Sequence, residues 1–324
     1  MAEWLVEQGI GEDRAIRLEH GAIAAAQVEW PGVLGAGMIA DAVLVARAAG
    51  AARGVVRFCG GEEALVDGLP AAAAEGAALR VEVTRSAIAE RGRLKRAQAR
   101  PTTQAPCDAP SLARRLAGEG HTVRQVPTFP AGLWDELIAE AREPTIAFAG
   151  GALIVCPTPA MTLIDVDGTL PPRELARAAV PAIAGAIARF DIGGAIGIDF
   201  PGIADRAGRR AVDEALGLAL ADRPHERTAM NGFGFVQIIA RLERPSLLQR
   251  LANDRDGAMA RLLLRRAEQV TEPGVLAITA HPDVLRAVGA AWREALARRT
   301  GRTVRWEADA ALASHAGFAQ AVSR

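Results

Sequence analysis

Three aspartates have the residue type and spacing of a divalent-metal site. Asp165 lies near the end of an apolar run that starts at Thr162, and Asp199 lies near the end of a second run. Asp167 follows Asp165 by two residues, so on an extended chain both side chains point to the same side. Mg²⁺ prefers carboxylate oxygens and keeps waters that can attack a phosphodiester. We therefore predict that Asp165 and Asp199 bind Mg²⁺, with Asp167 as a support for its water shell or as a third ligand.

The same acids have two other interpretations. Aspartates at strand ends often cap a turn or a helix, and Asp167-Gly168 is a turn dipeptide. Residues 165–169, Asp-Val-Asp-Gly-Thr, also resemble the nucleophile loop of haloacid-dehalogenase-type phosphatases, in which the first aspartate attacks phosphorus. That chemistry needs a downstream basic residue, usually lysine, and no lysine follows Lys95. The phosphatase is therefore the less favoured hypothesis.

A strand–helix–strand unit is predicted to bring Asp165 and Asp199 together. The predicted strands are Thr162–Val166 and Ala195–Phe200, and the helix between them is Arg173–Phe190. Such a unit makes the two strands parallel, and α/β sheets bind ligands at the carboxyl edge of parallel strands. The two aspartates are far apart in the sequence, yet this arrangement predicts that they meet at one edge of the sheet.

The chain before the acids is predicted to be rich in β-structure. The predicted strands are 15–18, 22–28, 42–45, 54–58, 63–66, 79–83, 145–148 and 152–156. His20-Gly21 is the predicted turn of the first hairpin, and the four strands between 42 and 83 predict a small barrel. The Pro-, Thr- and Gln-containing stretch 97–109 is the predicted linker. Helices are predicted from Ser111 and over 133–141.

The chain after the acids is predicted to alternate between helix and strand. Arg206–Ala221 is a predicted helix with Asp205 as its N-cap. Beyond Pro245, the pattern predicts a helix over 247–270, a strand over 275–279, a helix over 284–298, a strand over 303–307 and a final helix. This order is typical of a small α/β unit.

The composition limits the class of protein. Half of the 324 residues are hydrophobic, which is enough for two or three modest cores. The apolar runs are too short for a membrane helix and the first residues lack a basic signal region, so we expect neither a membrane partner nor a signal peptide. The three widely spaced cysteines favour a reducing cytoplasm. The formal net charge of +0 restricts any contact with nucleic acid to local patches.

Several segments resemble the ribonuclease E/G family. The most specific are 163–167, Leu-Ile-Asp-Val-Asp, and 191–200, Asp-Ile-Gly-Gly-Ala-Ile-Gly-Ile-Asp-Phe. Residues 150–155 resemble the strand that precedes the family's catalytic strand. Residues 231–235, followed by Arg241 and Arg244, resemble a later segment with its arginine pair. Residues 90–95 resemble the basic loop that closes the family's inserted S1 domain.

The resemblance implies a fold and a domain organisation. The fold would be α/β, with an RNase H-like and DNase I-like catalytic core, an inserted S1 (OB-type) β-barrel and a small C-terminal α/β domain. The implied domains are an RNase H-like hairpin at 1–34, the S1-like barrel at 35–100, a linker and the remainder of the RNase H-like part at 101–144, the metal-binding DNase I-like domain at 145–250, and the small domain at 251–324. In this family Asp165 and Asp199 would be the Mg²⁺ ligands, and Asp167 would stand where a supporting asparagine is usual.

The implied activity is Mg²⁺-dependent endonucleolytic cleavage of single-stranded RNA in RNA processing or decay. A water held by the metal would attack the phosphodiester and leave a 5′-phosphate. The residues predicted to bind RNA are Phe58, Arg91, Arg93, Lys95, Arg227, Arg241 and Arg244. Each has a structural alternative: barrel core for Phe58, a solvated loop for the basic cluster, and surface salt bridges for the later arginines. A relative that binds RNA with weak or no turnover is the alternative function.

The chain departs from the family in two places. A short linker and one helix stand where the family has its sensor for the RNA 5′-monophosphate, so we expect no such sensing. No Cys-Pro-x-Cys segment follows Arg244, although the family uses such a segment as a zinc link between protomers. We therefore expect neither zinc nor a zinc-linked tetramer, and the sequence leaves a homodimer open.

Overall fold

The computed structural model describes residues 3–32, 34–90 and 92–323, apart from the side chain of Arg93. The chain folds as an α/β protein with a closed β-barrel and several helices. In the described ranges, the strands form sheets of four, six and three strands, a closed barrel and a two-stranded hairpin. No helix in these ranges is both long and apolar enough to cross a membrane.

The N-terminal sheet contains strands from both sides of the barrel in the sequence. It consists of β1 (Glu3–Gln8), β2 (Asp13–Glu19), β3 (Ala22–Glu29) and β11 (Thr122–Gln125), in the order β11-β1-β2-β3. His20 and Gly21 have φ values of 52° and 81°, as a two-residue hairpin turn requires, so the predicted hairpin is confirmed. α1 (Leu112–Gly118) is N-capped by Ser111 and packs on this sheet. The barrel is therefore an insertion between β3 and β11.

The barrel closes with a strand that the sequence did not predict. Its strands are β4 (Ile39–Arg47), β5 (Arg53–Phe58), β6 (Glu63–Asp67), β7 (Ala78–Arg85) and β10 (Ala97–Pro101), in the order β10-β6-β5-β4-β7. A small hairpin, β8 (Ile88–Glu90) and β9 (Arg93–Lys95), precedes β10. The prediction of a linker from residue 97 is wrong. Residues 97–101 pair with β6 and β7, and Ala97 and Ala99 fill the barrel interior.

The six-stranded sheet carries the three aspartates. Its strands are β12 (Thr145–Phe148), β13 (Gly151–Pro157), β14 (Thr162–Gly168), β15 (Gly194–Asp199), β16 (His225–Arg227) and β17 (Phe235–Ala240), in the order β12-β13-β14-β15-β17-β16. β14 and β15 are parallel, which confirms the predicted strand–helix–strand unit, and the other neighbouring pairs are antiparallel. α3 (Pro172–Arg189) joins β14 to β15. α4 (Arg206–Ala219) follows β15, with Asp205 as its N-cap, as predicted.

The two faces of this sheet differ in exposure. Ile164 and Ile198 are fully buried in the core that includes α3. The opposite face, which we call the open face, carries Ile154, Leu163 and Ile239 at 37–47% exposure. Because side chains alternate along a strand, every second residue of β14 belongs to the open face. These are the positions of Asp165 and Asp167.

The C-terminal unit differs from its prediction in three elements. It consists of α5 (Leu247–Asn253), α6 (Arg255–Glu268), β18 (Val275–Ala280), α7 (Pro282–Ala287), α8 (Ala290–Thr300), β19 (Val304–Ala308), a short 3-10 helix (Ser314–Ala316) and β20 (Phe318–Val322). The predicted helix 247–270 is two helices, because Asp254 caps α6 by accepting a 3.1 Å hydrogen bond from the Gly257 N–H. The predicted helix 284–298 is also two helices, α7 and α8. The predicted final helix is wrong, since residues 318–322 pair with β18 as a strand.

The buried residues show which parts share a core. One cluster joins the N-terminal sheet, α2 (Leu133–Arg142), the six-stranded sheet and the C-terminal unit, with Ile16, Ile164 and Leu276 among its members. The barrel has a separate cluster. The C-terminal unit therefore packs on the same core as the six-stranded sheet, whereas the barrel has a core of its own.

Candidate metal site

Asp165 and Asp199 are neighbours on adjacent parallel strands. Their Cα atoms are register partners of β14 and β15, and neighbouring strands lie roughly 4.8 Å apart. Both side chains are exposed, because Ile164 and Ile198 occupy the alternate positions that point into the core. The two aspartates therefore lie side by side on the open face.

Apolar side chains flank the two carboxylates along the same row. Ile154 on β13 is the register partner of Asp165, and Phe235 on β17 is the register partner of Asp199. The row across four strands thus reads Ile, Asp, Asp, Phe. The two negative charges are bordered by side chains that offer them no hydrogen bond.

Neither Asp165 nor Asp199 has a protein partner among the described residues, by ion pair or by hydrogen bond. Like charges placed directly opposite on neighbouring strands repel each other and destabilise the sheet. A bound cation would remove this repulsion. An arginine in contact with either carboxylate would have supplied a purely structural explanation for the pair, and the described arginines do not do so.

Asp167 is held differently from the other two aspartates. It is exposed on the open face, and its Oδ1 accepts a 2.8 Å hydrogen bond from the Gly168 N–H. This bond supports the turn after β14, as the turn-dipeptide interpretation of the sequence required. One carboxylate oxygen of Asp167 is therefore engaged, and the other is directed to solvent or to a ligand.

The donor set limits which ion fits. Within the described ranges, no group of three or more histidine, cysteine, aspartate or glutamate side chains is arranged to hold a metal. The alternative in which Asp167 is a third direct ligand is therefore not supported by this geometry. Two carboxylates fit Mg²⁺, which keeps most of its waters, better than Zn²⁺ or Ca²⁺, which require more protein ligands.

The predicted arginine pair lies at the other end of the sheet. Asp199 is paired with Phe235 at one end of β17, whereas Gly194 is paired with Ala240 at the other. Arg241 follows Ala240 directly, six residues after Phe235, so it is separated from the acids by about 20 Å of strand. Arg241 is exposed and pairs with Glu243 at 2.9 Å. It does not lie beside the acids.

Two of the predicted RNA contacts are structural arginines. Arg244 is 11% exposed and bonds to Asp191 at 2.6 Å and to Glu243 at 3.2 Å. Burial opposes its charge, but Asp191, together with Glu29 and Glu243, outweighs burial and holds the pKa of Arg244 above its ordinary value. Arg227 donates to the carboxylate of Asp213 at 3.3 Å and to its backbone carbonyl at 2.7 Å. The salt bridges that the sequence left as an alternative are present at both arginines.

The predicted RNA contacts of the barrel are also revised. Phe58 is 5% exposed and belongs to the barrel core, so its ring is not a platform for a base. Lys95 on β9 lies 3.9 Å from Glu90 and remains 40% exposed. Arg91 and the side chain of Arg93 lie outside the described residues. Of these four residues, the described part retains only Lys95 as an accessible cation.

The barrel exterior consists largely of charge pairs. The arginines pair with acids on neighbouring strands, as in Arg57–Glu63 at 2.9 Å, Arg80–Asp41 at 2.9 Å and Arg100–Glu82 at 2.8 Å. Each pair cancels its own charge at short range. These strands therefore do not present a continuous basic surface to a phosphate backbone.

Two arginines that the sequence did not single out follow the acid-bearing strands. Arg173 lies in the first turn of α3 and Arg206 begins α4, so each is at the start of the helix after an acid-bearing strand. Both are exposed, and neither has a protein partner among the described residues. Phe233, in the turn before β17, is 88% exposed. A search restricted to the ten residues after each acid would have found both arginines.

Comparison with known proteins adds no relative to this picture. No family model matches the chain, and no curated protein is significantly similar to it. The likeness to ribonuclease E/G therefore depends on the segments around Asp165 and Asp199 and on the order of the elements.

Proposed function

We propose that the protein is a Mg²⁺-dependent endoribonuclease that acts on single-stranded RNA, with Asp165 and Asp199 as the metal ligands. The observation that carries the proposal is the register pairing of two exposed carboxylates without a protein cation, at the carboxyl end of a parallel strand pair. The resemblance to ribonuclease E/G supplies the substrate class. We further propose a cytoplasmic location, in keeping with three cysteines that form no disulfide.

The order of the elements supports the proposed domain types. The closed barrel is inserted between two strands of the N-terminal sheet, which is the position of the S1 domain in ribonuclease E/G. We therefore assign the barrel to the S1 (OB) type, the N-terminal sheet to the RNase H-like part, and the six-stranded sheet to the DNase I-like part. The separate core of the barrel agrees with an inserted domain.

Each acid has a distinct role in this proposal. Asp165 and Asp199 would each donate a carboxylate oxygen to the ion, and Asp167 would orient waters through its free oxygen while its other oxygen holds the turn. Mg²⁺, when bound, supplies charge neutralisation at the phosphate and a water suited to attack. Arg173 and Arg206 would contact neighbouring phosphates, because both are exposed and have no acid to satisfy them.

The phosphatase hypothesis has less support than the nuclease. Its motif requires the two aspartates in a loop after a strand, and here both lie within β14. The RNA-binding relative without turnover differs from the nuclease only in chemistry. It is therefore treated as an outcome of the same experiment.

The test is cleavage of a 5′-labelled single-stranded RNA with and without Mg²⁺, for wild type, Asp165→Asn and Asp199→Asn. Each substitution removes a metal ligand but keeps side-chain volume, so we expect at least a roughly 100-fold loss of rate with retained RNA binding. Glu226→Gln is the matched control, because Glu226 is an exposed acid of the same sheet. Equal cleavage by Asp199→Asn and wild type would contradict the proposal. Binding without cleavage by wild type would establish the RNA-binding alternative.

A further inference from the structure

One aromatic ring projects from the turn beside the acids. Phe233 is 88% exposed, against 42% for Phe318, the other strongly exposed phenylalanine. Its neighbours in the turn are Asn231, Gly232 and Gly234, which add no apolar side chain. The ring is therefore an isolated aromatic surface and not part of a wide apolar patch.

The turn that carries Phe233 is fixed by its own hydrogen bonds. The Oδ1 of Asn231 accepts from the N–H of Phe233 at 2.9 Å and from the N–H of Phe235 at 3.0 Å. The N–H of Gly234 donates to the Asn231 carbonyl at 3.2 Å. Gly234 has a φ of +93°, and a Cβ at this position would collide with the carbonyl of Phe200. The backbone under Phe233 is thus held in one conformation, which lowers the entropy lost when a ligand binds to the ring.

The same turn is attached to the strand that carries Asp199. The N–H of Phe200, the residue after Asp199, donates to the carbonyl of Gly234 at 3.2 Å. Phe235, two residues after Phe233, is the register partner of Asp199. The turn that bears the exposed ring is therefore joined to the strand of Asp199, and Phe233 lies two residues before the register partner of that acid.

We propose that Phe233 is a stacking platform for one nucleobase of a single-stranded nucleic acid whose neighbouring phosphate lies at Asp165 and Asp199. This inference rests on the proposed function. A single exposed ring offers one π-face, which suits a base, whereas a protein partner needs a contiguous apolar area. Arg206, at the start of the next helix, is an exposed cation for the phosphate backbone, and a divalent ion held by Asp165 and Asp199 would carry the adjacent phosphate. Phe58 is buried in the barrel core and cannot stack on a base, whereas Phe233 offers an exposed ring near the acids.

Stacking predicts a particular dependence on the substrate. Every base has a π-face, so Phe233 distinguishes a base from no base and only weakly one base from another. A strand with one abasic nucleotide at the stacked position loses this contact. Abasic nucleotides at other positions leave it intact.

The test is equilibrium binding of a fluorescent 12-nucleotide single-stranded RNA in EDTA, so that no cleavage occurs. We expect Phe233→Ala to weaken binding roughly 5- to 150-fold, the range for loss of one base–aromatic stack, and Phe233→Trp to retain affinity. Phe318→Ala is the matched control, an exposed phenylalanine on β20 in another sheet. A set of RNAs with one abasic nucleotide at each position in turn locates the stacked base. At one position, wild type should bind the abasic RNA as weakly as Phe233→Ala binds the intact RNA. At that position, Phe233→Ala should bind the abasic and the intact RNA equally well.

Three results would overturn the inference. If Phe233→Ala and wild type bind the RNA with equal affinity, Phe233 is not a stacking platform. The metal proposal would stand in that case, because cleavage would still depend on Asp199. A change in the mass of Phe233→Ala in solution, with unchanged affinity, would show that the ring binds a second copy of the chain. No binding of any single-stranded RNA by wild type, either in EDTA or in Mg²⁺, would contradict both proposals together.

Discussion

The two ends of the six-stranded sheet use the same residue types for different purposes. At the carboxyl end of β15, Asp165 and Asp199 lie side by side without a protein cation. At the amino end, Asp191 binds Arg244 at 2.6 Å and lies 3.9 Å from Arg223. Residue type is therefore a poor guide to role, because pairing separates a structural carboxylate from one that is available to a ligand.

The barrel extends this comparison to aromatic residues. Its candidate platform, Phe58, packs inside a closed surface, whereas Phe233 projects from an open sheet. A closed barrel has an interior that apolar side chains must fill, and the open face has no such requirement. Side chains that are available to a ligand are thus found where no other part of the fold covers the surface.

The largest predicted effect is a loss of stability that distinguishes the two ends of the sheet. Asp191→Asn keeps the side-chain volume and tolerates the φ of 51° at this position. It leaves Arg244, which is 11% exposed, and Arg223, which is 30% exposed, with less counter-charge. We expect the free energy of unfolding to fall by about 3 kcal/mol. Urea unfolding measures this change.

The same measurement has two useful comparisons. Asp222→Asn, an exposed acid nearby, should leave the unfolding midpoint unchanged. Asp199→Asn should keep or slightly raise stability in metal-free buffer, because it removes repulsion from Asp165. A large loss of stability in Asp199→Asn, with none in Asp191→Asn, would reverse the assignment of the two ends.

A smaller predicted effect, on RNA binding, distinguishes the open face of the sheet from the barrel. Arg206→Ala should weaken binding of single-stranded RNA several-fold and reduce the slope of log affinity against log salt by about 0.7, as expected for one lost phosphate contact. Arg100→Ala on the barrel should change neither quantity, because Arg100 is already paired with Glu82 at 2.8 Å. Salt titrations of both variants make the comparison. A larger effect of Arg100→Ala than of Arg206→Ala would show that the single-stranded RNA binds to the barrel.

The smallest effect concerns a second pair of facing carboxylates. Asp13 and Glu29 are register partners, and burial together with Glu29 raises the pKa of Asp13 above its ordinary 3.8. The folded state therefore holds this proton more tightly, and that stability is lost as pH rises through the raised pKa. We expect Asp13→Asn to stabilise the protein by about 0.5 kcal/mol at pH 7. Thermal melts should show the difference vanishing below the ordinary pKa, and a destabilised variant at pH 7 would contradict the account.

The acid pair could be predicted from the sequence because local patterns determine it. Two apolar runs separated by one helix require parallel strands, and alternation puts Asp165 and Asp167 on one face. The hairpin at His20-Gly21 follows from turn chemistry in the same way. These features depend on residues that are close in the sequence.

The misassigned elements and residues depend on distant partners. Ala97–Pro101 looks like a linker, but β6 and β7 supply its hydrogen bonds. A final helix was predicted after residue 307, yet Phe318–Val322 forms a strand that pairs with β18. Arg244 resembled a phosphate ligand because its partner, Asp191, is 53 positions away. Local pattern does not encode which side chains meet across such separations.

The central claim is that Asp165 and Asp199 hold one divalent ion between them. The most direct test is a crystal soaked with Mn²⁺ in place of Mg²⁺ and measured at the manganese absorption edge. An ion shared by the two aspartates would give one anomalous peak within about 2.2 Å of a carboxylate oxygen of each, and this peak would be lost in Asp199→Asn. A peak elsewhere on the protein only, or an unchanged peak in the variant, would contradict it.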